Sequence, residues 1–291
     1  MYSNLVLSGG ALKAVVLLGA VKYLEEKDLI KHFKNYVGSS AGAIIIFFMI
    51  IGYKSYEIKD ILIEEINNIV DLDFENIDDF FINYGIDNTD RNKDILKKYL
   101  IKKTKLNDIT FIEFAKKYGL NFTITGTNLT TRNTDYFNVD NFPNMSMIDA
   151  LVITSCIPLI YKPIEYNDNL YIDGGIYNNF AYNYYKNKND SLGINVTYNY
   201  SRKNDTFINY FNNILLSLMD KIIELGLDNS ENVCFINFDE KRKDGVNIST
   251  DDFSVNINND IIIDNINYGY NTFKEFLNKK IENIKSVDNT Q

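Results

Sequence analysis

Histidine is nearly absent from this chain. His32 is the only one among 291 residues, and imidazole is both the usual proton carrier near neutral pH and the commonest metal ligand. Nothing after position 32 can supply a histidine base. With only two cysteines, Cys156 and Cys234, no Cys/His cluster exists to hold zinc, and neither a metal nor a cofactor is expected. Two cysteines are also too few for a secreted disulfide framework; both lie in apolar contexts and read as buried thiols. Positive charge is short as well: 30 Lys and Arg face 39 Asp and Glu, a net charge of −9 with a pI near 4.8. An acidic chain is a poor partner for nucleic acid and for an anionic lipid surface. A spanning apolar run is missing too. The uncharged stretch 35–53 is strongly apolar only over 41–51, short of the ~20 residues a membrane helix needs, and it reads as a buried helix. No basic segment precedes an apolar stretch at the N-terminus, so no signal peptide is expected. These absences point to a cytoplasmic chain. The local basic clusters Lys97-Lys98 with Lys102-Lys103, and Lys241-Arg242-Lys243, leave room for transient contact at a membrane surface. Only three prolines and no tryptophan occur. With heavy use of Asn and Ile, this reads as the composition bias of an AT-rich genome, so matches to N-x-[ST] carry no weight.

What is present centres on Gly38-Ser39-Ser40-Ala41-Gly42. A short strand-like run, Asn35-Tyr36-Val37, precedes it and a dense apolar run follows. Strand, tight turn and buried helix around G-x-S-x-G form the pattern of a nucleophile elbow. Gly38 and Gly42 flank a turn too sharp for side chains, and Ser40 projects at a helix N-terminus, where negative charge is favoured. The Ser–acid–His order of the α/β-hydrolase triad cannot be built, because no histidine follows Ser40. His32, in a charged segment eight residues earlier, reads as a solvated loop residue. Two readings survive: the site is dead, or a carboxylate takes the serine proton directly.

A carboxylate stands ready in Asn169-Leu170-Tyr171-Ile172-Asp173-Gly174-Gly175, a β-like run ending in Asp-Gly-Gly. Taken alone this is an ordinary Asp-Gly hairpin turn. Beside a G-x-S-x-G with no histidine, Asp173 becomes the candidate base, with Gly174 and Gly175 permitting close approach. A third piece lies at Asn4-Leu5-Val6-Leu7, a strand run followed by Ser8-Gly9-Gly10-Ala11-Leu12-Lys13 and a helix from about 12 to 26. A Gly-Gly turn entering a helix presents successive backbone N–H groups to an anion. The spacing is neither that of a P-loop nor that of a dinucleotide fingerprint, which leaves phosphate or the oxyanion of an acyl-transfer intermediate as its ligand.

Together these three motifs resemble the patatin-like phospholipase family. That family carries a glycine-rich oxyanion loop, a G-x-S-x-G elbow and a later D-G-[GA], and it works with a Ser–Asp dyad without histidine. The resemblance covers roughly residues 4–200. It implies Ser40 as nucleophile, Asp173 as dyad aspartate, Gly9, Gly10 and Ala11 as the oxyanion loop, and Lys13 at the basic position that closes it. It also implies a lipid acyl hydrolase acting on phospholipid or another lipid acyl ester. Two departures stand out: Ala11 and Ala14 occupy positions where the family has glycine. Either the loop holds Ala11 at negative φ, or its N–H donors are placed less well. Two other readings stay open: a catalytically weak lipid-binding chain on the same fold, and an esterase, thioesterase or acyltransferase acting on soluble substrates.

The remaining pattern alternates helix and strand. Helices are expected over 56–70, 94–100, 111–118 and 207–225, with a last one inside 265–285. Strands are expected over 122–125, 194–197 and 233–238, and 186–190 reads as a surface loop. This alternation implies a three-layer α/β/α fold with a mostly parallel central sheet, in which active groups collect at strand carboxyl ends. A catalytic core over 1–200 and a C-terminal extension over 201–291, packed on the same domain, are expected. Oligomeric state leaves no mark in the sequence.

Overall fold

The computed structural model describes residues 2–70, 82, 84–198, 207–226, 231–238 and 259–288. Its strands are β1 (Asn4–Leu7), β2 (Asn35–Gly38), β3 (Gly85–Asp87), β4 (Asn121–Asn128), β5 (Asn133–Phe137), β6 (Leu159–Tyr161), β7 (Ile164–Tyr166), β8 (Asn169–Asp173), β9 (Ser191–Tyr198) and β10 (Val233–Phe238). Its helices are α1 (Val15–Glu26), α2 (Ser40–Ile50), α3 (Ser55–Val70), α4 (Asp90–Thr104), α5 (Phe111–Tyr118), α6 (Met147–Thr154), the single turn α7 (Gly175–Asn178), α8 (Phe207–Gly226) and α9 (Asn259–Asp288).

The central sheet runs β10-β9-β1-β2-β4-β8-β7, with β5 also paired to β4. Strands β10, β9, β1, β2 and β4 are parallel, which makes the fold a mixed α/β sheet flanked by helices. Strands buried on both faces should read as unbroken apolar runs, and Leu5, Val6 and Leu7 are fully buried. The expected parallel order misses one edge. Strands β5, β7 and β8 join antiparallel. Only β8 reads as strand-like in the sequence, β5 and β7 being too short to declare themselves, and a left-handed pair, Asn167 and Asp168, turns β7 into β8 as a tight hairpin requires.

Register sets the site. Leu7 pairs with Gly38 across β1 and β2, so the loops that leave the two strands emerge side by side at one sheet edge. Asp173 pairs with Gly126 of β4, and Ile124 of the same strand pairs with Gly38. The end of β8 is thereby brought to the same edge.

Helix α2 is nearly all apolar and mostly buried, with Ile46 and Phe47 fully enclosed; a helix this hydrophobic belongs inside a core. Phe47 stacks on Phe114 of α5, whose start is fixed by a capping box between Thr110 and Glu113. Helix α9 lies along α1 at a close crossing. A Cβ on Gly19 would strike the Ile266 carbonyl, and one on Gly269 would strike that of Val16, so the two backbones touch. Tyr23 adds edge contacts to Tyr270 and Phe273.

Element ends differ from the sequence reading in several places. The first helix begins at Val15 after a 3-10 turn over Ala11–Ala14, α4 extends four residues beyond each expected end, α9 starts six residues early, β4 runs three residues past its expected end and β9 starts three residues early. The 186–190 loop contains a 3-10 turn at Lys188–Asp190. Lys241-Arg242-Lys243 lie outside the described residues. Both cysteines are buried and unpaired.

Candidate active site

Ser40 is the first residue of α2 and holds φ at 47°. A non-glycine residue in this left-handed region carries strain that surrounding structure must hold in place. Two contacts do so. The Ser40 N–H donates to Thr154 Oγ1 at 2.8 Å, and Gly42 runs so close to the first loop that a Cβ there would strike the Ser8 carbonyl. The elbow is thus clamped between the end of α6 and the loop after β1.

The Ser40 hydroxyl donates to Asp173 Oδ2 at 2.8 Å, a buried contact across 133 residues of chain. Asp173 is itself held by backbone on three sides. Its N–H donates to the Cys156 carbonyl at 2.8 Å, the Gly174 N–H donates to the Thr154 carbonyl at 3.2 Å, and the Gly175 N–H donates to Asp173 Oδ1 at 2.7 Å. The Asp-Gly-Gly is not a hairpin turn. Gly174 is helical and caps α7, so the aspartate sits at a strand-to-helix junction like that of the serine. Only 5% of Asp173 is exposed. Burial pushes its pKa up to about 7, against the lowering effect of the Gly175 N–H and the Ser40 hydroxyl. Desolvation of a carboxylate acts in this direction, and a base with a pKa near the working pH transfers protons most effectively.

The loop after β1 lies against the same serine. Ser8 fixes it to β9, donating from its N–H to the Ile194 carbonyl at 3.2 Å and accepting on Oγ from the Val196 N–H at 2.9 Å. The three expected oxyanion donors separate here. The Gly9 N–H is engaged, donating to the Asn179 carbonyl at 3.1 Å. Gly9 therefore serves close approach and not donation: a Cβ there would lie 3.0 Å from Ser40 Cβ and would clash with Asn179 Oδ1. Among the described residues, no backbone hydrogen bond uses the N–H of Gly10 or Ala11, and both remain candidates. Of the two alternatives for Ala11, negative φ is not the one adopted: φ is 46°, in the left-handed region where alanine is strained. Ala14 is helical, with φ −63°, where alanine fits without cost. Lys13 follows in the 3-10 turn and is half-buried.

Two residues beside the site were not legible beforehand as participants. Thr154 holds the elbow N–H, and Asn179 lies between the two glycine turns: its Oδ1 is 2.7 Å from where a Cβ on Gly175 would stand. Neither carries a local motif that announces this. Asn179 lies only six residues past Asp173, and that short offset from the Asp-Gly-Gly was the one available signal. His32 ends a 3-10 turn before β2, so the full strand, about 13 Å at 3.3 Å per residue, separates it from Ser40. Among the described residues, no group of three or more His, Cys, Asp or Glu could hold a metal ion.

The family model for patatin-like phospholipase matches residues 5–184, a span that includes the loop after β1, the elbow and Asp173. The chain belongs to the patatin-like phospholipase family. It is 36% identical over 193 residues to probable lipid hydrolase 463L of Invertebrate iridescent virus 6, covering 65% of this chain and 66% of that protein. It is 28% identical over 235 residues to the uncharacterised protein R571 of Acanthamoeba polyphaga mimivirus, covering 77% and 74%. Among solved structures it is similar to VipD from Legionella pneumophila, with a TM-score of 0.66 at 16% identity over 96% of this chain and 67% of that one. It is also similar to ExoU in its complex with SpcU from Pseudomonas aeruginosa, with a TM-score of 0.52 at 15% identity over 97% of this chain and 52% of that one. At such identities these likenesses speak to the patatin-like fold alone. The chain spans just under two thirds of the length of 463L and about half that of ExoU.

Proposed function

We propose that this chain is a lipid acyl hydrolase of the phospholipase A or lysophospholipase type, working through a Ser40–Asp173 dyad and an acyl-serine intermediate. The observation that carries the reading is the 2.8 Å contact from the Ser40 hydroxyl to a buried Asp173 whose pKa is raised to about 7. Membership of the patatin-like phospholipase family supports a lipid ester as substrate.

Asp173 Oδ2 takes the proton as Ser40 Oγ bonds to the ester carbonyl carbon. The carbonyl oxygen becomes an oxyanion facing the N–H groups of Gly10 and Ala11, each such donor contributing roughly 3 kcal/mol where it is well aimed. Collapse of the tetrahedral intermediate breaks the bond to the alcohol, which leaves with the proton held by Asp173. Water then gives a proton to the same carboxylate as its oxygen attacks the acyl carbon. The second collapse frees the carboxylic acid, and the proton on Asp173 returns to Ser40.

Ala11 favours one second reading. A left-handed alanine costs about 1–2 kcal/mol, and a loop under strain can hold its donors off line, so a lipid-binding chain with little turnover fits the same site. Incubation with mixed phospholipid and lysophospholipid, followed by mass spectrometry of released fatty acid, separates the two. Release by wild type that disappears in Ser40→Ala supports hydrolysis. Lipid bound without fatty acid release supports the second reading. Equal release by wild type and Ser40→Ala would show that the dyad assignment is wrong.

A further inference from the structure

Two adjacent asparagines, Asn178 and Asn179, end the turn that carries Asp173, and they are spent differently. The Asn178 Nδ2 donates to the Tyr136 hydroxyl at 3.0 Å. Asn179 is only 5% exposed, yet among the described residues its side-chain amide makes no hydrogen bond. The backbone that launches this side chain is fixed. It is helical at φ −67°, its carbonyl accepts from the Gly9 N–H at 3.1 Å, and the next residue, Phe180, is buried and stacked on Tyr182. A buried side-chain amide has donors and an acceptor to satisfy, and leaving them unmade is costly.

That amide stands at the reacting atoms. The position a Cβ on Gly175 would take is 2.7 Å from Asn179 Oδ1 and 2.9 Å from Asp173 Oδ1. A Cβ on Gly9 would strike Asn179 Oδ1 and lie 3.0 Å from Ser40 Cβ. The dyad itself does not use the amide. The Ser40 hydroxyl is committed to Asp173 Oδ2, and the Gly175 N–H serves Asp173 Oδ1.

We propose that Asn179 is a catalytic residue whose side-chain Nδ2 donates to the oxyanion formed at Ser40, in place of the Gly9 N–H that its own carbonyl holds. The inference rests on the lipid hydrolase reading and adds a third donor to the N–H groups of Gly10 and Ala11. An oxyanion exists only once Ser40 has attacked. A donor left unpaired in the free protein and paired in the transition state lowers the barrier by that difference. Packing alone does not account for the residue, since an apolar side chain of the same shape would fill the space with no polar head to satisfy.

The test compares wild type, Asn179→Leu and Asn179→Ala, with Ser40→Ala as control. Three quantities are measured: turnover of a water-soluble short-chain ester, inhibition by a trifluoromethyl ketone, and thermal melting. The Ser40 hydroxyl adds to that ketone, whose oxygen takes the negative charge while Asp173 takes the proton, so the adduct carries an oxyanion in the same place. Leucine matches asparagine in shape and cannot donate; alanine removes the head altogether, and either variant suffices if the other fails to fold. In both, kcat should fall on the order of a hundredfold or more with KM nearly unchanged, as for an interaction made only in the transition state. Inhibition by the ketone should weaken by a similar factor, and the melting temperature should stay within a few degrees of wild type, because no hydrogen bond of the free protein is lost. Wild-type kcat in Asn179→Leu would show that shape is all the site needs and would overturn the proposal. So would a loss confined to KM or to the melting temperature, or a fall in kcat with ketone inhibition unchanged. Turnover that needs Ser40 but ignores both Asn179 variants removes this inference alone. If wild type shows no turnover that depends on Ser40, the hydrolase reading falls and the inference with it.

Discussion

A carboxylate as buried as Asp173 works against folding, and that cost is measurable. Its folded pKa of about 7 lies above the ordinary value of 3.8, so the folded state holds the proton more tightly than the unfolded chain does. By linkage, this group makes stability fall as pH rises from about 4 to about 7 and then level off. Asp173→Asn removes the ionisable group and keeps the shape. Thermal melts should therefore show the variant more stable than wild type at pH 8, by about 2–4 °C for each kcal/mol recovered, and nearly equal to it at pH 4. A variant less stable than wild type at pH 8 would contradict the desolvated carboxylate. Ala11 makes a second case. Ala11→Gly relieves the left-handed strain but adds freedom to the unfolded chain. The strain relieved, about 1–2 kcal/mol, is largely offset by the added freedom, about 0.4–1 kcal/mol, so stability should rise by about 1 kcal/mol or less and the change should be read in the rate. We expect kcat on a short-chain ester to be kept or raised; a tenfold fall would mean the strained alanine itself positions the loop.

At the scale of elements, the elbow depends on its neighbours. Thr154, the last residue of α6, accepts from the Ser40 N–H where that amide is buried. Thr154→Val keeps the shape and leaves a buried donor unpaired, at a cost of about 1–3 kcal/mol. Urea melts should show that loss, and ester turnover should drop with it as the serine drifts from Asp173. Unchanged stability and turnover would remove Thr154 from the account. The helices α5 and α8 were legible from a hydrophobic period, α2 from an unbroken apolar run after the G-x-S-x-G, and the strands around the three motifs from short apolar runs that end at turn signals. Ser40 could be named because Gly38 and Gly42 bracket it, and Asp173 because Gly174 and Gly175 follow it. The antiparallel edge formed by β5, β7 and β8 could not be read as such, since strands of three to five residues leave too short a period. Thr154 and Asn179 were beyond reach for another reason: their roles exist only in contacts across the fold. The commitment of the Gly9 N–H to the Asn179 carbonyl is a contact of the same kind, which is why all three loop amides looked equivalent in the sequence.

At the scale of the molecule, the crossing of α1 and α9 ties the C-terminal helix to the core. We propose that the segment 201–291 and the core over 1–200 unfold as one cooperative unit. Gly269→Leu would drive a side chain into the backbone of α1 at Val16 and should cost about 3 kcal/mol, as overpacking does, within a single transition. Two separate transitions, with the first alone shifted, would mean that α9 belongs to an independent unit. No helix among the described residues is long and apolar enough to cross a membrane.

The most direct test of the central claim is the rate at which a fluorophosphonate probe labels the purified chain between pH 5 and pH 9. An active-site serine activated by Asp173 predicts labelling at Ser40 that rises with pH through a midpoint near 7, and that is lost in both Ser40→Ala and Asp173→Asn. Labelling of folded Asp173→Asn at the wild-type rate, or a wild-type rate with no inflection near neutral pH, would contradict it.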